Sequence, residues 1–122
     1  MTATTVDPPT SELVTVTVST SDTVVRVAAA GEIDSTSAPV LREHLGTVLD
    51  SGAPEFVVDL VQVSFLDSAG LCVLAAAHRR AGERGIRMRV LAASRAVIRP
   101  LQITGLWSLL GASEVTADAG AA

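Results

Sequence analysis

The sequence predicts an α/β fold in a single domain. A mixed, mostly parallel sheet of four to five strands has helices packed against it, and its first two strands form a hairpin. Three observations carry this expectation. The chain has 122 residues, enough for one sizeable core and no more. Val-rich runs of strand length alternate with stretches of helical periodicity, the pattern that implies crossover connections and parallel strands. The first two runs are separated only by a short polar turn, so they pair as neighbours.

Each element has its own local signal. The first ten or so residues, MTATTVDPPTSE with Pro8 and Pro9, read as a flexible tail over 1–11. Leu13, Val14, Val16 and Val18 lie among Thr and Ser as a first strand, and Ser21-Asp22 marks a turn. Val24 to Ala30 is a second strand, which Gly31 is expected to break. Ser35 or Ser37 then offers a cap for a helix that Pro39 suits in its first turn. Val40, Leu41, Leu45, Val48 and Leu49 recur on one helical face, and Ser51-Gly52-Ala53-Pro54 stops the helix. Phe56 to Val63, ending at Ser64, is nearly all apolar, as suits a central strand covered on both faces.

Leu66-Asp67-Ser68-Ala69-Gly70 turns into a second helix over about Ala69 to Arg84, closed by Gly85. Ile86 to Leu91 alternates apolar residues with Arg87 and Arg89 as a further strand. Ser94 caps a third helix to about Ile103, with Gly105 at its end. Beyond Trp107 only Leu109, Leu110 and Val115 offer further core, and residues 116–122 read as a frayed tail.

Composition excludes several classes of function. The longest apolar runs, such as Leu71 to Ala77, are far too short to span a membrane, and the first residues lack a secretory signal. One cysteine, Cys72, makes no internal disulfide and points to a reducing compartment, so the cytoplasm is expected. Net charge is −4 and every positive charge is arginine, five of them between Arg79 and Arg89. That cluster suits a solvated helix end. With one Trp, two Phe and no Tyr, stacking residues are too scarce for a nucleic-acid module. His44 and His78 have no Cys or His at ligand spacing, so no metal is expected.

The chemistry concentrates on one edge. Crossover connections bring the carboxyl ends of parallel strands together, so Asp34, after the second strand, should meet Asp67-Ser68, after the third. Two helices begin on that edge, and their amino ends favour negative groups. Catalysis is not expected there. Phe65-Leu66-Asp67-Ser68-Ala69-Gly70 lacks the glycine two residues before serine that a nucleophile elbow requires. His78 lies ten residues along the same helix, about 15 Å away by helical rise, and His44 sits mid-helix. No Gly-rich phosphate loop is present, so no nucleotide or other cofactor is expected.

Gly31-Glu32-Ile33-Asp34, followed by VVDLVQVSFLDSAGLCVL, closely resembles the bacterial anti-sigma-factor antagonists of the STAS family. Ile103-Thr104-Gly105-Leu106 is a third block of the same likeness, and the resemblance covers about residues 12 to 115. It implies a STAS-type domain and a mechanism. The unphosphorylated antagonist binds an anti-sigma factor, itself a serine kinase, and frees the sigma factor. Phosphorylation of the motif serine releases the antagonist, and a PP2C-type phosphatase resets it. By position the acceptor is Ser68, with Asp34, Asp67, Ala69 and Gly70 beside it as partner-contact residues.

Each residue also has a structural reading. Ser68 suits a helix cap as well as a phosphoacceptor, and the two roles are compatible. Asp34 suits a cap or turn brace as well as a partner contact. Gly70 suits close packing, and Cys72 a small core residue. Ala69 replaces a second serine found in some relatives, and the family's terminal helix has no obvious counterpart in the short alanine-rich end. The alternative function is a STAS module of a lipid or anion transporter, or of a stress-signalling scaffold, acting without a sigma factor.

Overall fold

Strand β1 (Val14–Ser21) and strand β2 (Val24–Ile33) form an antiparallel hairpin joined at Asp22-Thr23, in a computed structural model that describes residues 12–116. The tail expected over 1–11 lies outside the described residues, as does that over 116–122 apart from Thr116. Helix α1 (Ala38–Asp50), strand β3 (Glu55–Leu66), helix α2 (Ser68–Glu83) and strand β4 (Arg87–Ala92) follow. Helix α3 (Arg95–Ile103), a four-residue helix α4 (Leu106–Leu109) and strand β5 (Ser113–Glu114) complete the order. The sheet runs β1-β2-β3-β4-β5, with every pair parallel except the first.

Paired residues place the core on one face. Val27, Val58 and Val90 stand side by side on adjacent strands and are fully buried. With Ala29, Phe56, Leu60, Met88 and Ala92 they join Leu41, Leu45 and Leu49 of α1 and Val73, Leu74 and Ala77 of α2 in one cluster. The alternate positions point the other way. Arg26, Val57 and Arg89 are neighbours there, as are Ala28, Asp59 and Leu91. The expected cover on both faces of β3 holds along Phe56–Leu60, whose residues are all buried. Its helix-side residues enter the core, while Val57 lies outside that cluster and Asp59 pairs with Arg26 across strands.

Two further boundaries depart from expectation. Gly31 does not end β2, which stays paired through Ile33, and β3 runs on to Leu66 rather than stopping at Val63. The pairing accommodates this by shifting register twice, between Ala28 and Ala30 and between Gly31 and Glu32, with the extra residues on β3. Gly31 has φ +114, and a Cβ there would lie 2.1 Å from the Leu13 carbonyl oxygen. Glycine is needed because β1 crosses so closely, not because the strand stops.

Packing also reassigns two side chains. Cys72, expected in the core, is exposed, because α2 turns Val73 and Leu74 inward and leaves Cys72 on its outer face. Leu109, the last residue of α4, is 57% exposed, while Leu110, just after the helix, is buried. Trp107 is half-buried against the core.

Candidate functional site

The carboxyl ends of β2 and β3 do meet. Ile33 pairs with Leu66, and the Asp67 amide donates to the Ile33 carbonyl at 3.1 Å. This one hydrogen bond joins the segment that leads to Asp34 with the segment that leads to Ser68. Both then turn into helices on the same edge.

Asp34 braces the first turn. Its Oδ1 accepts from the Thr36 amide at 2.8 Å, the Thr36 hydroxyl at 2.7 Å and the Ser37 amide at 3.1 Å. The Thr36 hydroxyl is the main reason its carboxyl is held below the ordinary carboxylate range, with the backbone amides adding to the effect. Ser37, expected as a possible cap, does another job. Its hydroxyl is fully buried, donates to the Glu32 carbonyl at 2.8 Å and accepts from the Asp34 amide at 2.9 Å. It makes no side-chain cap for α1; the Asp34 carboxylate holds the Thr36 and Ser37 amides in the turn just before the helix.

The cap of α2 is likewise an aspartate. Asp67 accepts from the Ala69 amide at 2.8 Å and the Gly70 amide at 3.4 Å, so Ser68 is the first helical residue rather than the cap. The helix therefore begins one residue before the expected Ala69. Its hydroxyl is exposed and has no partner among the described residues. The capping reading of Ser68 is thereby corrected: Asp67 meets the backbone's need and leaves the serine oxygen free for other chemistry.

Gly70 lets the helix start sit directly on the sheet. A Cβ there would lie 2.3 Å from Leu66 Cδ1 and 2.9 Å from Ile33 Cγ2, both on buried side chains. Ala69 is half-buried between Ser68 and Gly70. It also lines a groove of about 360 Å³ between α1 and α2, with Ser35, Pro39, Arg42, Cys72 and Ala76. Arg42 and Cys72 were not picked out as site residues from sequence. The signal was present for Cys72, because Ser68 and Cys72 are four apart on a helix and so share one face.

Asp59 was also passed over. It is 4% exposed, accepts from the Val61 amide at 2.9 Å and pairs with Arg26. An acid within an apolar strand run marks such a pair. The histidines remain apart from the edge: the His44 ring nitrogen lies 2.8 Å from the Val40 carbonyl of its own helix. Among the described residues no group of His, Cys, Asp or Glu is arranged to hold a metal. No helix among them is long and apolar enough to cross a membrane.

A parallel sheet led by a hairpin, with an exposed serine at the first residue of a helix on its carboxyl edge, defines a STAS-type domain. The family model described as "Mlab, STAS domain" matches residues 16–111, and the chain belongs to the STAS-domain family. Its relatives include the anti-sigma-F factor antagonist RsfB of Mycobacterium tuberculosis, 36% identical over 93 residues that cover 76% of this chain and 75% of that one. The anti-sigma-B factor antagonist of Bacillus subtilis is 37% identical over 89 residues, covering 73% of this chain and 81% of its own. The crystal structure of an anti-sigma factor antagonist from Mycobacterium paratuberculosis superposes with a TM-score of 0.78 at 36% identity. That match covers 87% of this chain and 90% of the other.

Proposed function

We propose that this protein is an anti-sigma factor antagonist of the cytoplasm, a binding protein and not an enzyme, switched by phosphorylation of Ser68. The observation that carries this reading is the exposed, unpartnered Ser68 hydroxyl at the first residue of α2. Relatives with 36 and 37% identity, each named as an antagonist, support the class of partner.

The unphosphorylated edge binds an anti-sigma factor that is also a serine kinase, and so releases the sigma factor. Phosphate on Ser68 adds roughly 1.5 to 2 negative charges and three strong acceptors. Those charges fall at the amino end of a 16-residue helix, whose partial positive charge tolerates them. The domain stays folded. Asp67, one residue away, already supplies negative charge, and Asp34 adds more across the Asp67–Ile33 bond. A partner packed against a neutral hydroxyl would now face an unpaired charge, costing roughly several kcal/mol to desolvate. Binding is lost, and a PP2C-type phosphatase restores it. Asp34, Asp67, Ala69 and Gly70 shape the contact surface, Gly70 by letting α2 lie close to the sheet.

A role as a transporter subunit would use the same fold, but the names of the relatives above do not favour it. The test is a pull-down with and without ATP, followed by mass spectrometry of the peptide spanning Ser68. Ser68→Ala should fold, bind and resist the kinase, while Ser68→Glu should fold and bind at least tenfold more weakly. Phosphate uptake by Ser68→Ala, or tight binding by Ser68→Glu, would sink the proposal.

A further inference from the structure

Past the serine edge, the distal part of β3 and the outer side of α3 enclose an open groove of about 540 Å³. Phe65 and Leu66 form one wall, and Ala96, Pro100 and Ile103 the other. Two of these are large apolar side chains left in water: Phe65 is 45% exposed and Ile103 76%. The groove is rimmed by Arg95 and Arg99, both exposed. Among the described residues neither arginine has a carboxylate partner, a state they share with Arg42, Arg79 and Arg87.

The electrostatics of this rim are unfavourable for the protein alone. Arg95 is the first residue of α3, where the helix end already carries partial positive charge, and Arg99 lies one turn on. No acidic residue stands in that first turn to offset them. The molecule as a whole has a net charge of −4, so this is a local reversal of sign. An apolar floor flanked by two uncompensated cations calls for a ligand that is apolar on one side and anionic beside it. Arg95 and Arg99 are about 6 Å apart along the helix axis, the rise that separates carboxylates one turn apart on a facing helix.

We propose that this groove docks an acidic amphipathic helix of a partner protein, whose apolar face covers Phe65 and Ile103 and whose carboxylates meet Arg95 and Arg99. The proposal goes beyond the serine switch and rests on that reading only in taking the ligand to be a protein. The groove shares Leu66 with the packing beneath Gly70, so a partner held at the Ser68 edge would reach it without a separate docking event. A membrane surface is a poorer fit, because two arginines fall short of a polybasic patch.

The test uses the full chain, isotopically labelled, and a synthetic 14-residue helical peptide with Leu and Phe on one face and Glu flanking them. Amide shifts should be confined to residues near 65 and 95–104, and Arg95→Glu with Arg99→Glu should weaken binding at least tenfold. The same peptide with Lys for Glu should bind this double variant better than the native protein. Ile103→Ser, altering a side chain already in water, should weaken the acidic peptide without lowering the melting temperature. Equal binding of both peptides by the native chain, shifts elsewhere, or binding to anionic vesicles but not to the peptide would overturn the groove. A chain that takes the peptide at this site but binds no anti-sigma factor would overturn the functional reading and support the groove.

Discussion

Replacing Gly31 by alanine should be among the most damaging single-methyl additions in this protein. The new Cβ would stand 2.1 Å from the Leu13 carbonyl oxygen, just before β1, and 3.3 Å from Val14 Cα, its first residue. To restore an ordinary carbon–oxygen contact, β1 must retreat by more than about 1 Å. The Leu13 oxygen also accepts from the Glu32 amide at 2.8 Å, and a retreat of that size breaks the bond. Its loss costs about 0.5–1.5 kcal/mol, and holding an alanine at φ +114 adds about 1–3 kcal/mol. The expected total is about 2–4 kcal/mol. Gly52→Ala separates the two contributions, since Gly52 has φ +85 and open space around it. Urea unfolding of native, Gly31→Ala and Gly52→Ala proteins reads both, with an unchanged denaturant slope showing that stability alone has moved. A Gly31→Ala loss no larger than that of Gly52→Ala would refute the close-approach argument, and with it the account of why β2 passes through a glycine.

Asp67→Ala should remove the cap of α2 and cost about 1 kcal/mol by urea unfolding, whereas Asp67→Asn should stay within a few tenths because the amide oxygen still accepts from Ala69 and Gly70. A large loss in both variants would mean that charge, not capping, is what Asp67 contributes. Asp34 makes a prediction about acid. A carboxyl held low when folded contributes stability that is present above its unfolded value of about 3.9 and is lost as pH falls through the folded value. Asp34→Asn should therefore flatten the fall in melting temperature below about pH 4. Thr36→Val should raise the Asp34 carboxyl towards its ordinary value in an NMR titration, and no movement would show that the Thr36 hydroxyl is not the main cause.

Much of the architecture follows from local pattern alone. The alternation of Val-rich runs with helical periodicity already orders the strands, and the crossover rule already brings Asp34 and Asp67-Ser68 to one edge. The start of α2 is legible to within one residue, because Asp67 and Ser68 precede an apolar helical run. These features depend on residues close in sequence or on a rule that nearly every parallel sheet obeys.

What local pattern could not supply is which surface comes to lie against which. Gly31 looks like a strand end until β1 is seen lying against it, and Ser37 looks like a cap until its hydroxyl is seen buried on the Glu32 carbonyl. Cys72 has the composition of core, yet the facing helix covers Val73 and leaves the thiol in water. Both sides of β3 are buried over Phe56–Leu60, as its apolar run suggests, but only the tertiary structure shows that one side joins the core cluster while the other holds the Arg26–Asp59 pair. Periodicity reports the chemistry of a face, whereas burial is a property of the two faces that meet. The exposed Phe65 and Ile103 beside unpaired arginines belong to that second kind of fact, because residues nearly forty apart had to be folded together before the groove existed.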